Sequence, residues 1–297
     1  VEGAFSFVDD RGRTIELPAK PVRIFAEALA ALSLWPYGIK PAGIVGYLEG
    51  YEYPTEWDDV ARFDLGAGEL DIEKLIELAP DLSIGFTWDT TTKNDFGGVD
   101  ESEWSGFTDI APSLCILAVE VSIAASIERF IELAAALGAD TNTPELVSER
   151  EAFLAAGEAV RAAAAAKPGL RATAINPTPD NVYIGNPTAA SDLVYFAELG
   201  LDLIIPQTPD PYASGLFEEL SWEQINEYSV DLYLVDNRPS TMALEELLEM
   251  PVFSFLEAVQ AGQITPWPVE YVATYAGLTP TLTELAEAIT NAEIVTG

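Results

Sequence analysis

The sequence has no histidine and a single cysteine, Cys115. Lack of histidine removes Ser-His and Cys-His catalysis, His-bearing zinc sites and histidine ligation of haem. Tyrosine can still ligate haem, so haem is demoted and not excluded. One cysteine forbids an intramolecular disulfide. Its setting, Leu114-Cys115-Ile116-Leu117, reads as a buried core thiol and not as a nucleophile. Basic residues are scarce as well: 14 Lys and Arg stand against 49 Asp and Glu, a net charge of −35. Repulsion of phosphates at long range argues against nucleic acid as a partner and disfavours a strongly anionic ligand. Acids occur in every segment, which fits a solvated acidic surface; a field that attracts a cationic ligand is the alternative reading. No unbroken apolar run of ~20 residues is present, so no membrane span is expected. No basic and then apolar leader precedes Val1, and a signal peptide or lipid anchor is expected to lie outside this sequence. Also missing are a G-x-S-x-G elbow, a phosphate loop and a glycine-rich dinucleotide fingerprint, which counts against an enzyme. The acidic groups Asp58-Asp59 and Asp100-Glu101 with Glu103 lack metal-loop spacing and read as surface, so no protein metal site is expected.

What is present is apolar material for two cores: 297 residues, 49% of them hydrophobic. Phe5 to Val8, the turn cluster Asp9 to Arg13 and Thr14 to Leu17 read as a β-hairpin. Arg23 to Phe25 reads as a short strand, Ala26 to Tyr37 as a helix stopped by Pro36 and Gly38, and Ala42 to Tyr47 as a second strand. Short apolar runs recur at Leu82 to Gly85, Arg171 to Ile175, Leu201 to Ile205 and Leu232 to Val235, separated by helical patterns. Such alternation predicts parallel sheets covered by helices. Two segments align without a gap: Asp71 to Ile84 and Ser221 to Leu234, with Glu73/Glu223, Glu77/Glu227, Asp81/Asp231 and Leu82/Leu232 identical. Each reads as a capped helix feeding a buried strand, with Asp71 and Ser221 suited to the N-cap and Ser221 and Gln224 at capping-box spacing. Two similarly built halves are therefore expected. Between them, Thr143 can cap and Pro144 can start a helix that meets no strong breaker until Pro168-Gly169. About 24 helical residues make a rod of roughly 36 Å. The expected domains are residues 1–142, a linker helix at 143–167, and residues 168–297.

The stretch Val8 to Ile24 resembles the start of the ferric-siderophore, haem and cobalamin binding proteins of ABC importers, the helical-backbone or class III group. So does Ile72 to Leu82, with its Pro80-Asp81-Leu82, as do Ser221 to Ile225 before Val230-Asp231-Leu232, and Phe255 to Ile264. The resemblance covers nearly the whole chain in order. It implies an α/β fold of two Rossmann-like lobes with central parallel sheets, joined by one long α-helix, with a ligand cleft between the lobes. It further implies no enzymatic activity, a monomer outside the cytoplasm, periplasmic or lipid-anchored, and delivery to a membrane permease and its ATPase. By the same resemblance Glu73 and Glu223 are permease-docking residues. Their own chemistry accounts for them equally as first-turn carboxylates favoured by a helix dipole.

In open α/β sheets ligands bind beyond the carboxyl ends of the strands. That rule selects loops rich in aromatics: Tyr47 and Tyr51, Phe86 and Trp88, Asn176 to Tyr183, Asp236 to Arg238, and Trp267 with Tyr271. Rings offer stiff area with a polar edge, suited to a bulky chelate. Arg238 is a candidate for chelate oxygens, with an ion pair to a nearby acid as the alternative. The expected ligand residues are thus Tyr47, Tyr51, Phe86, Trp88, Tyr183, Arg238, Trp267 and Tyr271. The expected ligand is a ferric siderophore, hydroxamate-type or otherwise non-anionic, with no cofactor. Haem or cobalamin is the alternative within the family; a small-molecule enzyme or a surface scaffold is the alternative outside it.

Overall fold

The computed structural model describes residues 3–46, 52–65, 71–88, 90, 94–96, 106, 108–210 and 215–296. The chain divides into two compact units. Unit 1 comprises Val1–Ala118, Ala124–Val147 and Val272–Thr274; unit 2 comprises Val119–Ile123, Ser148–Tyr271 and Tyr275–Gly297.

Unit 1 opens with the hairpin read from the sequence: β1 (Phe5–Val8) pairs antiparallel with β2 (Thr14–Leu17), and Gly12 takes φ 74° in the turn. Next come β3 (Ile24–Glu27), α1 (Ala28–Leu34), β4 (Gly43–Gly46), β5 (Ala61–Asp64), α2 (Ile72–Leu78), β6 (Leu82–Thr87), β7 (Ser113–Leu117) and α3 (Ile123–Leu137). The sheet runs β5-β4-β3-β6-β7, and every pair is parallel. All residues of β3, β4 and β6 are buried, as parallel strands covered on both faces require. Phe25, Val45, Phe63, Leu75 and Phe96 form a core cluster. The helix expected from Ala26 to Tyr37 is shorter, because Glu27 acts as its cap by accepting the Ala30 N–H at 3.0 Å, and Trp35–Tyr37 tightens into a 3₁₀ turn. Asp71 caps α2, accepting the Lys74 N–H at 2.9 Å. The hairpin also blunts the open edge of β7. Asp9 Oδ2 accepts the Cys115 N–H at 3.2 Å and Asp10 Oδ2 the Leu117 N–H at 2.9 Å.

The long helix α4 (Pro144–Ala166) has 23 residues, about 35 Å of rod, and its first turn groups with unit 1 and the rest with unit 2. Thr143 Oγ1 accepts the Leu146 N–H at 3.4 Å, and Gly169 lies beyond the end with φ 90°.

Unit 2 holds β8 (Arg171–Pro177), β9 (Asn181–Gly185), α5 (Ser191–Glu198), β10 (Asp202–Leu203), β11 (Phe217–Ser221), β12 (Leu232–Asp236), α6 (Leu244–Glu249), α7 (Pro251–Ser254), α8 (Glu257–Gln260), β13 (Ile264–Trp267) and α9 (Tyr275–Asn291). Its sheet runs β11-β9-β8-β12-β13, with β10 beside β8. The expectation of a parallel sheet needs correction here: β8, β10, β12 and β13 are parallel, whereas β9 runs antiparallel to both its neighbours, β8 and β11. The cause is local. Thr178 Oγ1 accepts the Asn181 N–H at 3.0 Å and the Thr178 N–H reaches Asn181 O at 2.9 Å, closing a tight turn that permits only antiparallel return. The loop expected from Asn176 to Tyr183 is therefore a strand end, a short turn and a new strand, and Tyr183 lies inside β9. The second capped helix is a 3₁₀ segment, Trp222–Glu227, with the Ser221 N–H and hydroxyl both donating to Gln224 Oε1 at 3.2 and 2.9 Å. A period of three puts Trp222 and Ile225, its buried residues, on the same side. The core gathers Ile175, Val182, Ile184, Tyr233, Val235 and Phe253. Among the described residues no helix is long and apolar enough to cross a membrane.

Candidate functional site

Of the expected site residues of unit 1, Phe86 and Trp88 lie among the described residues. Phe86, inside β6, is buried and meets Phe130 of α3 edge-on at 5.2 Å, so its ring belongs to the core. Trp88 is half-buried directly after β6. Tyr47 and Tyr51 lie outside the described residues. A cavity of about 460 Å³ is lined by Asp10, Arg11, Arg13, Thr90 and Leu117. Its guanidiniums are committed elsewhere: Arg11 to Asp95 at 3.0 Å, Arg13 to Asp9 at 2.6 Å and to Asp95 at 2.7 Å.

In unit 2 the expected residues do converge. Trp267 is the last residue of β13, Tyr271 follows it, Tyr183 stands on β9, and Arg238 follows β12. Phe217 of β11 lies between two of them, with ring centroids 6.3 Å from Tyr183 and 6.2 Å from Trp267. The Asn237 N–H donates to Trp267 O at 3.3 Å, which ties the loop after β12 to the end of β13. Trp267 and Tyr271 are buried, and both donate to the same carboxylate oxygen: the Trp267 indole N–H and, at 2.9 Å, the Tyr271 hydroxyl reach Asp192 Oδ2.

Arg238 carries the ion pair that its surroundings allowed. Its Nε donates to both oxygens of Asp236 at 3.1 Å, its Nη2 to Asp236 Oδ2 at 2.7 Å and its Nη1 to Glu270 Oε1 at 2.8 Å. The Asp236 side chain is fully buried, and that of Arg238 is 25% exposed. A guanidinium has five N–H donors, so part of the fork remains for oxygens arriving from solvent. The pair with Asp236 keeps its plane in place.

Sequence reasoning missed Asp192, Phe217 and Glu270. For Asp192 the available signal was a lone carboxylate in the apolar run Ala189-Ala190-Ser191-Asp192-Leu193-Val194. Glu73 and Glu223 are both exposed, in the first turns of α2 and of the 3₁₀ segment. Among the described residues no group of three or more His, Cys, Asp and Glu could hold a metal ion.

The profile of the periplasmic binding proteins matches residues 65–271. The chain belongs to the periplasmic binding protein family. This binding protein is similar over nearly its full length to DesE, a ferric-siderophore receptor protein from Streptomyces coelicolor. The two are 33% identical with a TM-score of 0.87, over 98% of this chain and 99% of that one. The siderophore periplasmic binding protein from the fuscachelin gene cluster of Thermobifida fusca shares 21% identity, TM-score 0.61, over 92% and 97% of the two chains. PiaA of Streptococcus pneumoniae, solved in complex with ferrichrome, shares 17%, TM-score 0.64, over 97% and 100%. The last two establish the fold alone. No curated protein matches the chain. The class III resemblance read from its sequence is thereby confirmed, and its α/β architecture is the one its structural neighbours share.

Proposed function

We propose that this binding protein captures a ferric siderophore outside the cytoplasm and delivers it to the permease of an ABC importer. The observation that carries the reading is the full-length likeness to DesE, a ferric-siderophore receptor protein, at 33% identity. The unit 2 face supports it. Tyr183 and Phe217 supply ring surface for the methylenes of a chelate, the buried Trp267 packs behind Phe217, and Arg238 supplies charged donors for its oxygens. The ligand is a hydroxamate-type or otherwise non-anionic chelate, because a chain of net charge −35 repels a strongly anionic one. The iron travels as cargo already enclosed by its chelator, so the protein needs no ligand of its own to the metal.

Titration settles the matter. The fluorescence of the six tryptophans is followed while ferrioxamine, ferrichrome, a ferric catecholate, ferric citrate, haem or cobalamin is added. Saturable quenching by the hydroxamates is the expected result. Saturation with haem or cobalamin alone moves the protein to another ligand class, and saturation with none of the six overturns the reading.

A further inference from the structure

Asp192 is the second residue of α5 and only 3% exposed. A carboxylate in the first turn of a helix is favoured by the unpaired backbone N–H groups there. Here it does something else as well. Its Oδ2 receives both the Trp267 indole N–H and the Tyr271 hydroxyl, the donors of two rings that stand at the end of β13 and just beyond it. The indole is also confined by its packing. A Cβ placed on Gly185 of β9 would lie 3.1 Å from Trp267 Cη2 and 2.8 Å from Leu193 Cδ1, so the ring tip and α5 both lie close against that backbone.

We propose that Asp192 is the positioning residue behind the unit 2 ligand face: one ionised oxygen fixes the orientation of the buried Trp267, on which Phe217 of that face packs, and of the buried Tyr271, and taking up a proton releases them and weakens ligand binding. The proposal rests on the siderophore-binding reading and adds to it a residue that does not itself meet the ligand. An ionised carboxylate only accepts, and both of its aromatic bonds are charge-assisted. Once protonated it must place an O–H of its own among the same donors and loses that assistance. Burial pushes its pKa up to about 6, against the lowering effect of Trp267, Tyr271 and the backbone N–H groups of Leu193 and Asp192. The change therefore falls in a range a protein outside the cytoplasm meets.

Among the described residues the neighbouring charged groups form one ion-paired set, in which burial also raises the Glu270 carboxyl. On the β12 side Asp236 is paired with Arg238, whose other edge meets Glu270 from the segment after β13. Tyr271 is raised well above its ordinary value by burial and by the Asp192 charge, so it remains a donor at every pH considered. β9 presents Tyr183 and Gly185. The groups that hold the carboxylate are thus neutral donors, and none of them titrates in its place.

The test has an arm that needs no ligand. In the free protein the Trp267 indole N–H resonance, assigned by its loss in Trp267→Phe, is followed by NMR from ~pH 7.5 to ~pH 5. It is expected to move in the native protein and to stay still in Asp192→Asn. Ferrioxamine is then titrated at both ends of that range. Native affinity is expected to fall about tenfold at the acid end, the scale of one lost charge-assisted bond. Asp192→Asn is expected to bind weakly at both, because an amide with one oxygen cannot serve the aromatic and the backbone donors together. A stationary native resonance, or native-like affinity in Asp192→Asn, overturns the proposal. If Asp192→Asn fails to fold, Tyr271→Phe takes its place: weaker binding with the indole titration retained supports the proposal, and unchanged binding overturns it. Failure of all six ligands of the fluorescence titration to bind the native protein overturns the functional reading and the affinity half of the proposal with it. The indole titration still decides whether Asp192 holds the ring.

Discussion

Asp81 and Asp231 occupy the same post in the two units. Each donates its backbone N–H to the carbonyl of an arginine at the head of a neighbouring strand, Arg23 at 3.0 Å and Arg171 at 2.8 Å. Each carboxylate then accepts that arginine's backbone N–H, at 3.0 and 2.9 Å. The gapless match between the two halves of the sequence is therefore a repeated stitch between a helix-to-strand turn and the start of the next strand. The second copy is more heavily used, because Asp231 Oδ1 also accepts the N–H groups of Val295 and Thr296 and the Thr296 hydroxyl.

Removing Asp231 is expected to cost more than removing Asp81. Asp231→Ala leaves several donors without an acceptor in a fully buried position, a loss of about 2–3 kcal/mol in urea unfolding at neutral pH. Burial acts to raise the Asp231 pKa, but its bonds from Arg171, Thr296 and Val295 outweigh that and hold it below 3.8. A depressed folded value contributes stability above 3.8 that is lost as pH falls through it. The difference between Asp231→Ala and the native protein should accordingly shrink in strong acid; a gap that widens there contradicts the assignment.

Cys115 is expected to be inert while the protein is folded. Its thiol is fully buried, and burial first and the Asp95 charge second push it up to about 12. The thiolate is the reactive form, so a thiol-specific disulfide reagent at ~pH 8 should give no colour with native protein and one equivalent in denaturant. Rapid reaction of the folded chain would place the thiol elsewhere.

Gly185→Ala tests the close approach of β9, α5 and β13. The new methyl would sit 2.8 Å from Leu193 Cδ1, 3.1 Å from Trp267 Cη2 and 3.2 Å from Ala174 Cβ, and so must displace the indole or the helix. Overpacking of this kind costs about 1–3 kcal/mol. Thermal melting should show the loss, and the tryptophan emission should shift with it. An unchanged melting temperature would mean that the contact yields freely.

Glu73 and Glu223 are exposed, so reversing both charges should leave folding intact, with surface changes of this sort within about 0.5 kcal/mol. Ligand titration of Glu73→Lys/Glu223→Lys is expected to match the native protein while uptake into vesicles carrying the permease fails. Undiminished uptake removes the docking role and leaves the two acids as helix-stabilising residues.

Much of the fold was legible because it is written in local patterns. The hairpin at Phe5 to Leu17, the Asp71 cap and the Thr143-Pro144 start each depend on neighbours a few residues away. The mixed sheet was not legible, since β9 reads as an ordinary strand and only the Thr178 to Asn181 turn sets its direction. The helical appearance of Ser221 to Glu227 misled for a related reason: 3₁₀ and α segments share their capping signals, and a buried pair at i and i+3 such as Trp222 and Ile225 lies on one face of either.

For the site, residue type was a sound guide to chemistry and a poor one to place. Phe86 and Trp267 both stand at the ends of apolar strands, yet the first packs on Phe130 and the second hydrogen-bonds to Asp192. Nothing near either residue in the chain distinguishes them.

By itself the sequence determined the class of the protein: alternating strands and helices, a repeated half, a long central helix, no histidine chemistry and a net charge of −35. These depend on composition and short-range periodicity, which survive without knowledge of the fold. Only the tertiary structure decided that Trp267 and Tyr271 share one oxygen of Asp192 and that Arg238 lies between Asp236 and Glu270. The bonds of Trp267 and Tyr271 to Asp192 and of Arg238 to Glu270 span tens of residues and arise from the order of strands in a sheet. Burial, and with it the charge state of an acid such as Asp192, is a property of that order and not of the residue.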